Sequence, residues 1–279
     1  GFYAEVVENQ TYFPAFINQH IRRSDFTIWG EGTQKLYRER GRDYFSAKGY
    51  VTYSPFRFLR IKLGRDRAFW GNGYQSLLLS DHAVDYYMLH LDWRFGPFHY
   101  ANHYAELTDF IPGKPDVYGP YPRKYLTAHQ LSWSPSPRFT LSVFEAVVYA
   151  ATVPGGRRGL ELQYFNPFIF YRAVEQMLGS PDNALLGFAF KWNIARRLQG
   201  YGQLLVDDYN FGERKNGPGW WGNKVGYQVG LKWINILPML DMQLEYNRIR
   251  PYTYGHYNTS ANYSHFNQPL AHPLGANLH

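Results

Sequence analysis

The chain has 279 residues, a formal charge of +7, no cysteine and a mean hydropathy of −0.46. The lack of cysteine excludes disulfides and thiolate metal sites, and no apolar run approaches the roughly 20 residues of a transmembrane helix. The charge fits ordinary solubility as well as attraction to acidic polysaccharide or lipid phosphates. Aromatic residues make up 19% of the chain. Aromatic girdles at the membrane–water interface are one physical reason for such a high share.

Alternation of apolar residues with small or polar ones recurs along the chain and predicts β-strands. In chain order the candidates are residues 2–8, 47–53, 58–64, 87–95, 98–107, 124–133, 138–149, 160–165, 186–194, 198–208, 225–233 and 240–247. In 225–233, Tyr227, Leu231 and Trp233 share one face, and Gln228 and Lys232 share the other. A soluble sandwich would bury the large face, whereas a transmembrane barrel would place it in lipid.

Short and long connections alternate between these strands. Short turn signals occur at residues 54–55, 96–97, 134–137, 195–197 and 237–238, and long polar or aromatic segments cover residues 9–44, 108–121, 208–222 and 251–279. Outer-membrane barrels sort their connections in this way, whereas a sandwich has no reason to do so. The sequence therefore predicts an all-β chain with a single domain over residues 1–279, a transmembrane antiparallel β-barrel of the outer membrane.

Residues 165–180 interrupt the strand rhythm. Asn166-Pro167 suits the start of a helix and Gly179 suits its C-terminal cap, so a short helix in a loop or in the lumen is predicted near residues 167–178. The remaining length supplies about twelve strands. Because a barrel closes only when its last strand pairs with its first, the Pro-, Asn- and Gly-rich chain end predicts closing strands beyond residue 279.

Four stretches together resemble the Wzi-type capsule assembly proteins, in the branch common in Bacteroidota: residues 63–81, 159–187, 217–233 and 244–277. The resemblance runs in the same order from about Arg42 to the end. It implies an outer-membrane barrel of about 16 to 18 strands, of which this chain is an incomplete stretch. It also implies a lectin-like role in holding capsular polysaccharide, although this branch includes proteins linked to gliding motility.

Two aromatic and amide-rich segments are the best candidates for sugar binding. Sugar rings stack on aromatic faces, while amide and guanidinium groups fix the hydroxyls. The candidate residues are Trp220, Trp221 and Asn223 in the first segment and Tyr252, Tyr254, His256, Tyr257 and Asn258 in the second. The same aromatics suit an interfacial girdle or a loop packed over the lumen.

Residues 64–73 concentrate Arg65, Arg67, Trp70 and Asn72 among three glycines. Arginine presents a fork to carboxylate and phosphate, so this segment suits an anionic sugar. It is not a phosphate loop, because the Lys-Ser/Thr of that motif is absent. A lumenal plug held by Arg–carboxylate pairs is the favoured alternative.

Neither a metal site nor a cofactor is expected. His99 and His103 would share one face of a strand about 13 Å apart, which is too far for one ion. Catalysis is not expected either, because Ser76 and Ser80 lie near His82 without the strained elbow of a serine nucleophile.

These patterns predict a non-enzymatic barrel that binds or anchors capsular or extracellular polysaccharide at the surface of a Gram-negative bacterium. The expected partners are an acidic or neutral surface polysaccharide, outer-membrane lipid and lipopolysaccharide, and proteins of an outer-membrane complex, with no nucleic acid. The alternatives are a structural subunit of a motility or secretion complex and, less favoured, a diffusion porin. A porin requires a wide charged pore, whereas a lectin predicts an obstructed lumen.

Overall fold

The computed structural model describes residues 1–23, 27–109, 121–153, 156–166, 182–208 and 222–273. In chain order the strands are β1 (Phe2–Thr11), β2 (Thr27–Ile28), β3 (Gly32–Thr33), β4 (Lys35–Tyr37), β5 (Gly41–Phe56), β6 (Leu59–Asp66), β7 (Tyr86–Phe95), β8 (Phe98–Thr108), β9 (Arg123–Ser136), β10 (Phe139–Ala150), β11 (Thr152–Val153), β12 (Gly156–Arg157), β13 (Asn183–Ala195), β14 (Leu198–Asp208), β15 (Lys224–Leu237), β16 (Leu240–Ile249), β17 (Ser264–His265) and β18 (Gln268–Pro269). The helix α1 (Ala15–Arg23) and two 3₁₀ turns, Leu162–Phe165 and Thr259–Ala261, complete the described elements.

One antiparallel sheet of 12 strands forms the wall of the molecule. Its order is β1-β5-β6-β7-β8-β9-β10-β13-β14-β15-β16, with β4 also paired to β5. Within the described residues β1 and β16 do not pair, so the wall is open between them. The predicted antiparallel barrel wall of about twelve strands is confirmed. No helix in the described ranges is long and apolar enough to cross a membrane.

The two faces of the wall differ as the alternation predicts. In β15, Tyr227 is 37% exposed on the outer face, whereas the neighbouring Gln228 is 1% exposed on the inner face. The other large apolar residues on the outer face of β13, β15 and β16 are also exposed: Val229, Leu231, Trp233, Leu186, Phe188, Phe190, Trp192, Leu240, Met242, Leu244 and Tyr246. The outer face is therefore apolar, whereas the inner face carries small and polar groups together with buried apolar side chains.

The connections of the wall are sorted by length. Five two-residue turns, at residues 57–58, 96–97, 137–138, 196–197 and 238–239, lie at one end of the sheet, which we call the short-turn end. The long connections emerge at the opposite end, called the long-loop end: residues 12–40, 67–85, 109–122, 151–182 and 209–223. This alternation is the one predicted from the sequence.

Two local predictions are wrong. The turn predicted at Ser54-Pro55 lies within β5, because Pro55 falls beyond the last residue that pairs with β1 and inside a register shift against β6, so its missing N–H removes no ladder bond. The strand predicted at 160–165 is a 3₁₀ turn whose Tyr164 is buried against Tyr149. The predicted helix near 167–178 and the chain end from residue 274 lie outside the described residues.

Two segments, residues 67–85 and 250–273, pack together against the inner face, and we call them the plug. The Tyr254 hydroxyl donates to the Leu77 carbonyl at 2.8 Å, and the Tyr263 hydroxyl donates to the Leu78 carbonyl at 2.7 Å. These four side chains form one apolar core with wall residues that include Phe144. The main hydrophobic core therefore lies between the plug and the wall.

Candidate functional site

Arg67 anchors the first plug segment. Its Nε donates to the Asp85 carboxylate at 2.6 Å, and its two terminal nitrogens donate to the Asp81 carbonyl at 3.1 Å and the Gly30 carbonyl at 2.7 Å. Asp85 is only 3% exposed, so the guanidinium compensates a buried charge. This ion pair matches the alternative interpretation of residues 64–73, a lumenal plug held by Arg–carboxylate pairs.

The other predicted residues of that stretch occupy different places. Trp70 is buried, and its ring lies edge-on to Phe144 with the centroids 5.5 Å apart. Arg65 pairs in register with Tyr87 on the outer face, and its guanidinium lies 6.0 Å from that ring. Asn72 is half-buried and lines a polar inner cavity. The structure therefore does not bring these residues to one site.

Glu245 of β16, the last strand in the order of the wall, also holds the plug. Its carboxylate accepts hydrogen bonds from the backbone N–H of Tyr74 at 2.7 Å and of Gln75 at 3.2 Å. It also accepts from the Tyr201 hydroxyl at 2.7 Å. Carboxylate bonds of this kind are stronger than bonds between neutral groups, so β14 and β16 fix the position of residues 74–75.

The second plug segment begins by crossing the long-loop end, where wall residues hold residues 250–262. Lys224 Nζ donates to the Gly255 carbonyl at 2.6 Å, and Lys124 Nζ donates to the Asn262 carbonyl at 3.0 Å. The Ser260 hydroxyl donates to Asp109 Oδ2 at 2.5 Å. The segment is therefore tied to the ends of three wall strands.

Two tyrosines of this segment have left-handed backbones. Tyr252 has φ 64° and Tyr254 has φ 76°, a conformation that is strained for aromatic residues. Tyr254 is fully buried, and its backbone N–H donates to Asp207 Oδ2 at 2.8 Å, whereas Tyr252 remains 47% exposed. Backbone strain of this kind is often found where a residue's position matters for function.

Tyr252, His256, Tyr257 and Asn258 lie on one short segment, which we call the outer platform. Tyr257 is 82% exposed, and its ring lies 4.2 Å from the His256 ring. The Asn258 backbone N–H donates to His256 Nδ1 at 3.2 Å, which places the proton of the neutral imidazole on Nε2. The Asn258 side-chain oxygen accepts from the Ser260 N–H and caps the 3₁₀ turn. The platform thus combines open aromatic surface with hydrogen-bonding groups.

Two buried histidines of the plug, His265 and His272, are neutral at pH 7. The Thr108 N–H donates to His265 Nδ1 at 2.8 Å, and the opposite ring nitrogen lies 3.2 Å from the Asp85 carbonyl. Burial lowers the pKa of His265 to about 3 and also lowers the pKa of His272. The plug therefore carries no histidine charge from these two residues at neutral pH.

The predicted sugar-binding residues are thus only partly assembled. His256 and Asn258 are in contact on the outer platform, Tyr252 is exposed on the same segment, and Tyr254 belongs to the plug core. Trp220 and Trp221 lie outside the described residues, and Asn223 is buried just before β15, so the first aromatic segment stays a prediction.

A polar chain on the inner face was missed from the sequence. The register of β7 and β8 pairs His90 with His103, whose Nδ1 atoms are 3.3 Å apart, and His99 Nε2 lies 2.8 Å from Asp92 Oδ1. The sequence signal that could have revealed this polar chain was the alternation in the two adjacent strands, because it places these residues on one face of the sheet. In the part of the chain that the structure describes, no group of three or more His, Cys, Asp or Glu residues is arranged to hold a metal.

The fold is an antiparallel β-barrel wall, open between β1 and β16, with the plug packed against its inner face. No family model and no curated protein sequence matches the chain. Among solved structures, it is similar to Wzi, an Escherichia coli outer membrane protein involved in group 1 capsule assembly and described as a carbohydrate-binding β-barrel. The TM-score is 0.58 at 14% sequence identity. The match covers 98% of this chain but 64% of Wzi, so the chain has a Wzi-like fold and spans less than two thirds of that protein's length.

Proposed function

We propose that this chain is a non-enzymatic outer-membrane barrel that binds capsular or extracellular polysaccharide at the cell surface. The observation that carries the proposal is the outer platform, which lies at the long-loop end. In outer-membrane barrels the longer loops face the outside of the cell. The likeness to a carbohydrate-binding barrel supports the same assignment.

The platform offers the groups that a sugar needs. The exposed Tyr257 ring presents a face on which the C–H groups of a sugar stack, and Tyr252 adds a second aromatic surface. The Asn258 amide, whose oxygen accepts from the Ser260 N–H, carries an NH₂ group that can donate to sugar hydroxyls. The charge of +7 favours acidic glycans by long-range attraction.

The apolar outer face of the wall supports a location in the outer membrane. Large apolar side chains cover it, and exposed aromatics gather within a few residues of the short turns: Phe95, Phe98, Trp133, Trp192 and Trp233. Aromatic girdles at this position mark the membrane–water interface in outer-membrane barrels. The short-turn end then faces the periplasm.

The plug argues against the alternative of a diffusion porin, which needs an open aqueous lumen. Ser76 and Ser80, which lie near His82 in the sequence, are part of the plug. The buried Ser76 hydroxyl donates to the Trp70 carbonyl at 2.7 Å, and the Ser80 hydroxyl accepts from the backbone N–H of His82, not from its ring. These contacts support the non-enzymatic role.

The test is binding of surface polysaccharide from the source organism to the detergent-solubilised full-length protein. Covering half of a tyrosine side chain contributes about 1 kcal/mol, so Tyr252→Ala/Tyr257→Ala should weaken binding about 30-fold. Tyr12→Ala removes a comparably exposed tyrosine at the same end and should change binding less than twofold, or about 0.4 kcal/mol. A folded wild-type protein without saturable binding would favour the structural-subunit alternative.

A further inference from the structure

A basic cavity lies at the short-turn end, opposite the outer platform. Its volume is about 320 Å³, and it is lined by the cations Arg138, Arg196, Arg197 and Lys232, the amides Asn193 and Gln199, and apolar groups. No carboxylate lines it within the described residues. This size falls at the lower end of the roughly 300–1,000 Å³ that is typical of small-molecule sites.

Three neighbouring hairpins build the cavity. Gln199 pairs in register with Asn193 on one side and with Lys232 on the other, so all three side chains lie on the inner face. The Asn193 N–H donates to the Arg138 carbonyl at 2.7 Å, and the Ile234 N–H donates to the Arg197 carbonyl at 2.8 Å. The turns that carry the arginines are therefore fixed to the adjacent strands.

Within the described residues, no carboxylate pairs with the charges of the cavity. Arg138, Arg196 and Lys232 make no ion pair there, and Lys232 Nζ instead lies 5.4 Å from the centre of the Tyr201 ring. The side chain of Arg197 donates to the Asn235 carbonyl at 3.4 Å. Four cations around one space repel one another, and an anion between them would remove that repulsion.

We propose that this cavity binds an anionic phosphate group. Arginine forks match the oxygens of phosphate bidentately, lysine adds a point charge, and the two amides supply further donors. A phosphate group offers more acceptor oxygens to these donors than a single carboxylate does. The phosphate can come from a lipid headgroup of the adjacent leaflet or from a soluble phosphorylated molecule, and the test separates these sources.

The first arm titrates inorganic pyrophosphate into the full-length protein in nonionic detergent at low ionic strength, followed by calorimetry. Arg138→Gln/Arg196→Gln should raise the Kd at least tenfold, or about 1.4 kcal/mol. Arg57→Gln/Arg94→Gln removes the same charge from the 57–58 turn and from the end of β7, also at the short-turn end, and should raise the Kd less than twofold, or about 0.4 kcal/mol. Lys232→Gln supplies a second cavity variant, and a heat-modifiable gel shift verifies folding.

The second arm compares nanodiscs of phosphatidylcholine with and without phosphatidylglycerol. Selective retention of phosphatidylglycerol that the cavity variants lose assigns the phosphate to a lipid headgroup. Pyrophosphate binding without such retention assigns it to a soluble molecule. The proposal is overturned if folded wild-type protein shows no saturable binding in either arm, or if the two double variants weaken binding equally. Glycan binding at the outer platform should be unchanged in all of these variants.

Discussion

Arg67→Met should loosen the plug, because it removes three hydrogen bonds and strands a buried carboxylate. The Asp85 side chain is 3% exposed, and its remaining hydrogen-bond donor in the described contacts is the Ser46 hydroxyl at 3.3 Å. Removing one partner of a buried ion pair costs about 3–5 kcal/mol. Because the Arg67 side chain is 20% exposed and partly screened, we expect about 3 kcal/mol, at the lower end of that range.

The double variant Arg67→Met/Asp85→Asn separates the charge effect from lost packing. It leaves no buried charge without a partner, so it should be more stable than Arg67→Met alone by about 1–3 kcal/mol. Free energies of unfolding would be measured by urea titration of the full-length protein in detergent, followed by tryptophan fluorescence. Ion conductance in planar bilayers should rise in Arg67→Met. If the double variant is as unstable as the sum of the two single variants, the pair does not anchor the plug as described.

Two further perturbations probe how the plug fits the wall. A Cβ on Gly187 would lie 2.5 Å from Leu78 Cδ2, whereas a Cβ on Gly226 would make only ordinary van der Waals contacts. Gly187→Ala should therefore lower the free energy of unfolding by about 1–3 kcal/mol, and Gly226→Ala should lower it less. Equal urea midpoints for the two variants would contradict this fit. The folded-state pKa of His265, about 3, lies below its unfolded value. The contribution of His265 to the free energy of unfolding is therefore fully present above about pH 6.5. It is lost as the pH falls toward 3, and the loss is about 2 kcal/mol at pH 5. His265→Asn can still accept from Thr108 and should flatten that decline; an unchanged pH dependence would refute the assignment.

The strands and their facing could be predicted from the sequence because both follow from local periodicity. Residues two apart share a face, so the exposed set of Tyr227, Leu231 and Trp233 was readable without tertiary information. The sorting of short and long connections was equally local. Register shifts are not local, which is why Pro55 was mistaken for a turn. The 3₁₀ turn at 162–165 was mistaken for a strand because the contact that buries Tyr164 against Tyr149 cannot be deduced from alternation.

The site depended on contacts between residues far apart in sequence. Composition placed Tyr252 and Tyr254 together as sugar contacts, but two left-handed backbones and the Leu77 carbonyl send one ring to the surface and the other into the core. The basic cavity had no sequence signal, because Arg138 and Lys232 meet only through the pairing of three hairpins. Periodicity determines which face a residue occupies, whereas its neighbours on that face are set by strand register and plug packing.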